Sequence, residues 1–159
     1  MFEEGGNIML YRTHFAISVM AILLFLAHVS NKVVFVVVAL IATLLPDLDS
    51  PQSLLGRKKI AKPIQMISEH RGLFHSFTFL LLITLFFALF IPIIALPFFL
   101  AYSLHILADS FTHEGIRPFY PLKNSINGKI KTGGRYEFTI LVTVLITDVV
   151  LFIVFLSGL

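Results

Sequence analysis

Five long apolar stretches restrict what this sequence can fold into. They run at about Phe15 to Ser30, Val33 to Pro46, Leu73 to Ile91, Pro92 to Ala108 and Phe138 to Leu159. Each is near the ~17 to 25 residues that cross a bilayer as a helix. A chain of 159 residues with 57% hydrophobic residues and a mean hydropathy of +0.93 lies outside the range of soluble globular domains. The sequence therefore predicts an all-α integral membrane bundle of about five transmembrane helices, as one domain over residues 1–159.

The basic residues predict how this bundle is oriented. If the helices alternate in direction, the N-terminus and the loops at residues 47–72 and 109–137 lie on one side of the membrane. Eleven of the 12 Lys and Arg residues fall on that side, and Lys32 falls on the other. The positive-inside rule places this basic side in the cytoplasm and the C-terminus outside. A basic surface that contacts anionic lipid headgroups is enough to account for the pI of about 9.3. A nucleic-acid partner is therefore not expected.

Histidines and aspartates cluster at the predicted cytoplasmic ends of the apolar stretches. The first and third helices would begin at that side, and the second and fourth would end there. Residues far apart in the sequence are therefore expected to meet at one level of the membrane. They are His14, Asp47, Asp49, His70, His75, His105 and Asp109.

Imidazole and carboxylate groups are ligands of zinc, manganese and iron. His105 and Asp109 are four residues apart, so they share one helical face and can reach one ion. An ionisable group at the centre of a bilayer costs roughly 2.5 to 3.5 kcal/mol, so such groups are seldom kept without a use. The alternative is that each histidine forms only structural hydrogen bonds. The clustered set predicts a divalent transition-metal site, which could hold one ion, or two or more.

Three residues at the same level are candidates for catalysis. Arg71 lies between two candidate ligands and could hold phosphoryl oxygens, although it could instead reach toward the interface. Glu137 begins the fifth helix, where the helix dipole also favours a glutamate. Either Asp47 or Asp49 could bind the ion while the other orients it or moves protons, so Asp49 is a candidate for both roles.

Other polar residues are expected to lie outside the site. His28 is roughly 20 Å along the first helix from His14. His113 could join the site or face water, and water is preferred, while Glu114 is expected to be a surface charge. Asp148, in the middle of the fifth stretch, is interpreted first as a polar contact to a Ser, a Thr or His28 on a neighbouring helix.

The blocks "LLPDLDSPQSLLG", "HRGLFHS" and "YSLHILADSFTHEG" resemble the signature blocks of the YdjM family. Its members are described as LexA-binding, inner-membrane-associated, metal-dependent hydrolases. The resemblance runs from about Tyr11 to Pro121. The family is grouped with the zinc-dependent phospholipase C and P1 nuclease superfamily. By this resemblance His105 and Asp109 are the first expected ligands, followed by His14, Asp47 and His75.

The resemblance implies a membrane-bound hydrolase that cleaves a phosphoester of a phospholipid or related lipid with water activated by a divalent metal, zinc before manganese or iron. The segment "GIRPFYPL" could form an apolar lip for such a lipid or only an interfacial anchor. The alternative function is a metal-binding membrane scaffold or regulator that recruits a cytoplasmic partner without catalysis. A transporter is less favoured, since Asp148 is the one acid at membrane depth. The oligomeric state is not indicated.

Overall fold

The computed structural model describes residues 11–51, 53, 55–67 and 71–157. Over these residues the fold consists of helices joined by loops and short 3-10 turns, in agreement with the predicted all-α class. The 3-10 turns are Pro46–Asp49, Lys59–Ala61 and Leu73–His75. The α-helices are α1 (Tyr11–Phe25), α2 (Lys32–Leu44), α3 (Lys62–Ile67), α4 (Phe77–Phe90), α5 (Pro92–Ser110) and α6 (Arg135–Ser157).

Helix α5 lies at the centre of the bundle and packs against α1, α2 and α4. The interface contains small residues, including Ala39, Ala42 and Ala101, which let the helix backbones approach closely. Larger side chains fill the remaining space between α2, α4 and α5. They include Phe35, Leu80, Phe98, Tyr102 and Ile106, all of which are buried.

Three of the five long helices are shorter than the sequence predicts. α1, α2 and α4 contain 15, 13 and 14 residues, fewer than the ~20 that span a bilayer. Side-chain caps mark the start of α2 and α4, and a proline follows the end of each. The side chains of Asn31 and Ser76 cap the first turns of α2 and α4, while Pro46 follows α2 and Pro92 follows α4.

Helices α5 and α6 are long and apolar enough to cross a membrane, and α1 and α4 are shorter apolar helices. The buried residues of α6 are Glu137 and Asp148. Its exposed surface carries large apolar side chains such as Ile146, Val149 and Phe152. A surface this apolar is unfavourable in water, so it supports placement of α6 in lipid.

One hydrogen bond in the core gives a stability prediction. The hydroxyl of Tyr102 is fully buried and donates to the carbonyl oxygen of Phe74 at 2.7 Å. Tyr102→Phe leaves this carbonyl without its donor, which costs about 1–3 kcal/mol. We expect the melting temperature in detergent to fall by several degrees. Tyr136→Phe, at a residue that is 76% exposed, is the control, and equal melting temperatures for the two variants would contradict the prediction.

Candidate metal centre

Four helices place acidic and histidine side chains at one end of the bundle. His14 is in the first turn of α1, and His105 and Asp109 are in the last turns of α5. Asp47 lies in the 3-10 turn after α2, and His75 lies in the turn before α4 rather than inside that helix as expected. All five are at most 4% exposed. His70 lies outside the described residues.

Nε2 of His75 and Nε2 of His105 each lie near two carboxylate oxygens. Oδ2 of Asp109 lies 3.3 Å from Nε2 of His75 and 3.5 Å from Nε2 of His105. Oδ1 of Asp47 lies 3.9 Å and 3.7 Å from the same two nitrogens. In a tetrahedral zinc site, bonds of ~2.0–2.1 Å separate neighbouring ligand atoms by about 3.3–3.4 Å. The observed separations are therefore close to those that one ion requires.

His14 lies beside these four donors. Its ring stacks on the ring of His105, with centroids 3.9 Å apart and planes 9° from parallel. Its Nε2 atom lies 3.5 Å from Oδ1 of Asp109. The possible ligands thus form two groups that share His105, one with His14 and Asp109 and the other with Asp47 and His75.

Several of these buried atoms have no hydrogen-bond partner among the described residues. They are Nε2 of His14 and His105, Oδ1 of Asp47 and both carboxylate oxygens of Asp109. Buried polar atoms are normally satisfied, because leaving them unsatisfied is costly. Ion pairs between protonated histidines and the aspartates would meet part of this need. A divalent ion is the other way to meet it, since one ion would serve several of these atoms at once.

Two further groups orient the histidines. Nδ1 of His75 lies 3.3 Å from Oδ2 of Asp49, and Nδ1 of His105 lies 2.7 Å from the carbonyl oxygen of Thr43. Such contacts fix the ring and direct Nε2 toward a metal. Asp49 therefore contacts the Nδ1 side of the His75 ring, whereas Asp47 lies near Nε2 with the donors described above.

Metal binding at this site should weaken as the pH falls. Burial lowers the pKa of His75, but its interactions with Asp109 and Asp49 outweigh burial and raise the pKa to about 10. An ion at Nε2 must displace a proton, and this competition strengthens with acidity. We expect less bound metal after equilibrium dialysis at about pH 6 than at about pH 8. Equal metal content at both values would contradict the expectation.

Arg71 lies beside Asp109 and is held by the loop after α5. Its Nη1 donates to Oγ1 of Thr112 at 3.1 Å and to the carbonyl oxygen of Gly115 at 2.6 Å. Nη2 lies 3.6 Å from Oδ1 of Asp109, and Nε lies 3.2 Å from Oε2 of Glu114. Glu114, which was expected as a surface charge, is 28% exposed and also pairs with the buried Arg71. No local sequence pattern signals a contact between residues 43 positions apart.

Glu137 joins two other segments near the site. Its carboxylate accepts from Oγ1 of Thr13 at 3.0 Å and from the backbone N–H of Gly133 at 2.6 Å. Thr13 precedes the candidate ligand His14, so this hydrogen bond links the start of α6 to the start of α1. The structure thus places Glu137 next to the donor groups rather than within them.

The remaining polar residues lie away from the centre. His28 and His113 are exposed, and Nε2 of His113 lies 2.8 Å from the carbonyl oxygen of Lys129. Asp148 is 7% exposed. Its Oδ1 has no hydrogen-bond partner among the described residues, so the predicted contact to a Ser, a Thr or His28 is not observed for that atom.

The chain is similar to known membrane proteins. The inner membrane protein YdjM of Escherichia coli (strain K12) is 42% identical over 94 residues, an alignment that covers 54% of this chain and 48% of the relative. The protein of the same name from Shigella flexneri matches to the same extent. The chain thus spans about half the length of these curated relatives. No solved structure matches it.

The family comparison covers more of the chain. The model described as YdjM inner membrane protein matches residues 9–159. This range includes α1 to α6 and every described residue of the candidate metal centre. The chain belongs to the YdjM inner membrane protein family.

Proposed function

We propose that this protein is a multi-pass membrane hydrolase that uses a divalent metal, preferably zinc, to cleave a phosphoester of a phospholipid or related lipid. The observation that carries the proposal is the pairing of buried Asp47 and Asp109 with Nε2 of His75 and His105 at one end of an apolar bundle. Mixed nitrogen and oxygen donors, 3.3–3.9 Å apart where histidine and aspartate atoms face each other, suit zinc. The resemblance to metal-dependent hydrolases supplies the reaction class.

In this proposal Asp47, His75, His105 and Asp109 would hold the ion and His14 lies beside them, so that water could be taken up as a fifth ligand. A bound divalent ion supplies the Lewis acidity that activates water and polarises a phosphoryl oxygen. Asp47 would bind the ion through Oδ1, and its other oxygen, Oδ2, is the proposed proton acceptor, because Asp49 already contacts His75 and Glu137 accepts from Thr13 and Gly133. Arg71 supplies a cation next to the site for the developing charge.

The surface around the site supports a lipid substrate. Phe111, Phe119, Leu122 and Tyr136 are each more than half exposed near this end of the bundle. Exposed lysines of the same loop, including Lys123, lie among them. Aromatic and basic side chains together favour the headgroup region of an anionic bilayer. We propose that the site faces the cytoplasmic leaflet, where basic loops are favoured.

One observation favours the alternative, a scaffold that binds metal without catalysis. The five candidate ligands are at most 4% exposed, so a substrate can reach an ion only if neighbouring groups move. A purely structural or regulatory metal site requires no such access. This function predicts retained metal without turnover.

The proposal is tested with protein purified in detergent. Metal content is measured by mass spectrometry, and cleavage of several phospholipid classes is followed by mass spectrometry of the products. We expect a transition metal in stoichiometric amount and a released phosphorylated headgroup or free phosphate, both absent in Asp109→Asn. Protein that binds no transition metal refutes the proposal. Bound metal with no turnover of any lipid favours the scaffold.

A further inference from the structure

The two oxygens of Asp109 face different partners. Oδ2 lies near Nε2 of both His75 and His105. Oδ1 lies 3.5 Å from Nε2 of His14 and 3.6 Å from Nη2 of Arg71. In sites with two ions ~3.5–4 Å apart, both ions contact the reacting group. Here the Oδ1 side of Asp109 already has a cation, the guanidinium of Arg71.

Among the described residues, few donors remain on this side for a second ion. Nδ1 of His105 contacts the carbonyl oxygen of Thr43, so its Nε2 can serve one ion. Within the described ranges, His14 and Oδ1 of Asp109 are then left on the Oδ1 side. Two donors do not complete the four that zinc normally takes, and the charge of Arg71 opposes a second cation there.

The guanidinium of Arg71 is fixed by hydrogen bonds at one nitrogen, and its other two nitrogens could still donate to a ligand. The residue is 7% exposed and its backbone has φ of 60°, a left-handed conformation uncommon for arginine. Thr112 and Gly115 fix Nη1. Neither Nε nor Nη2 makes a hydrogen bond within the described part of the chain. These two N–H groups can therefore donate to an anionic oxygen without any movement of the guanidinium.

Glu114 covers Arg71 in the structure. Its Oε2 lies 3.2 Å from Nε of Arg71, and its side chain is 28% exposed, whereas Asp109 is fully buried. Glu114 is the more exposed of the two carboxylates beside Arg71, and an incoming anion would pair with the buried guanidinium in its place. Glu114 thus occupies a position where an anionic ligand could replace it.

We infer that the centre holds a single ion, and that Arg71 binds an anionic oxygen of the substrate on the side where a second ion would lie, once that anion displaces Glu114. The inference rests on the proposed function and adds a charge requirement, since the ligand carries a phosphate or similar anionic group. Glu114 acts as a built-in competitor for this group.

The test measures binding of inorganic phosphate to the detergent-purified, metal-containing protein by isothermal titration calorimetry. Glu114→Gln removes the competing carboxylate, so phosphate affinity should rise about two- to fivefold. Arg71→Gln should weaken phosphate binding by about tenfold or more. Arg71→Lys keeps the charge but loses the paired N–H groups of the guanidinium, so its phosphate affinity should lie between those of Arg71→Gln and the unaltered protein. Asn124→Lys is the control, because it also raises the net charge by one on the same loop.

Metal content is measured in the same samples. About one ion per chain with tighter phosphate binding in Glu114→Gln, but not in Asn124→Lys, supports the inference. Two ions per chain overturn it, as does phosphate affinity that is unchanged or lower in Glu114→Gln, or that rises equally in the control. Absence of metal from every sample overturns the proposed function itself. Because Glu114 is partly exposed, its variant is expected to fold even if the Arg71 variants do not.

A second titration identifies the source of the anion. Short-chain phosphatidic acid in the same detergent carries the same phosphate group on a lipid. Tighter binding of this lipid than of inorganic phosphate, with the same dependence on Glu114, identifies a lipid headgroup as the ligand. Equal affinities identify a free phosphate.

Discussion

His105→Ala should reduce the metal bound to the purified protein to less than about a tenth of an ion per chain. Loss of a direct ligand should weaken metal affinity by more than the ~10–100-fold that follows loss of a residue that only contacts a ligand. His105 is common to both possible ligand groups. Its ring also stacks on His14, so removing it disturbs a second donor. The measurement is metal analysis after dialysis against a fixed free zinc concentration.

His113→Ala is the matched control for this variant. His113 is exposed and contacts the carbonyl oxygen of Lys129, so its removal should leave the metal content unchanged. Thermal unfolding of both variants separates ligand loss from misfolding. A folded His105→Ala protein that retains a full complement of metal would exclude His105 as a ligand.

Asp47→Asn and Asp49→Asn should have effects of different size on metal affinity. Oδ1 of Asp47 faces Nε2 of His75 and His105, where an ion would bind. Asp49 contacts Nδ1 of His75 and accepts the backbone N–H of Arg71 at 3.1 Å. Removing the charge of Asp49 should weaken metal binding by about 10–100-fold, as for other partners of ligating histidines. Asp47→Asn should lose more metal affinity than Asp49→Asn, because it removes the charge of a direct ligand.

Competition with a chelator of known affinity measures both variants. At saturating zinc, Asp49→Asn should still bind the same number of ions as the unaltered protein, since its direct donors remain. A larger loss in Asp49→Asn than in Asp47→Asn would reverse the assignment of ligand and positioning residue. Equal losses would mean that both carboxylates contact the ion.

The meeting of the candidate ligands at one level could be predicted because it depends on helix direction alone. Alternating helices bring the start of α1 and the end of α5 to the same side, so His14 and Asp109 meet whatever the details of packing. The spacing of His105 and Asp109 likewise follows from helix periodicity. To predict these parts of the site, only the positions of the helix ends need to be known.

The division of roles could not be predicted, because it depends on how short irregular segments fold. Asp47 and Asp49 share one 3-10 turn, and the direction of each side chain follows from that turn and not from hydrophobic pattern. The contact of Arg71 with Glu114 requires the loop after α5 to fold back over the site. Gly115 permits this loop, since it has φ of 64° and an added Cβ would lie 2.0 Å from the carbonyl oxygen of Ile126.

The pairing of α1 with α6 delays completion of the centre until late in biosynthesis. α6 packs against α1, and Glu137 bonds to Thr13, the residue before His14. α1 leaves the ribosome long before α6 does. His14 therefore lacks the support of α6 until the chain has been made through Glu137, so stable uptake of an ion is expected after insertion of the helices rather than during it.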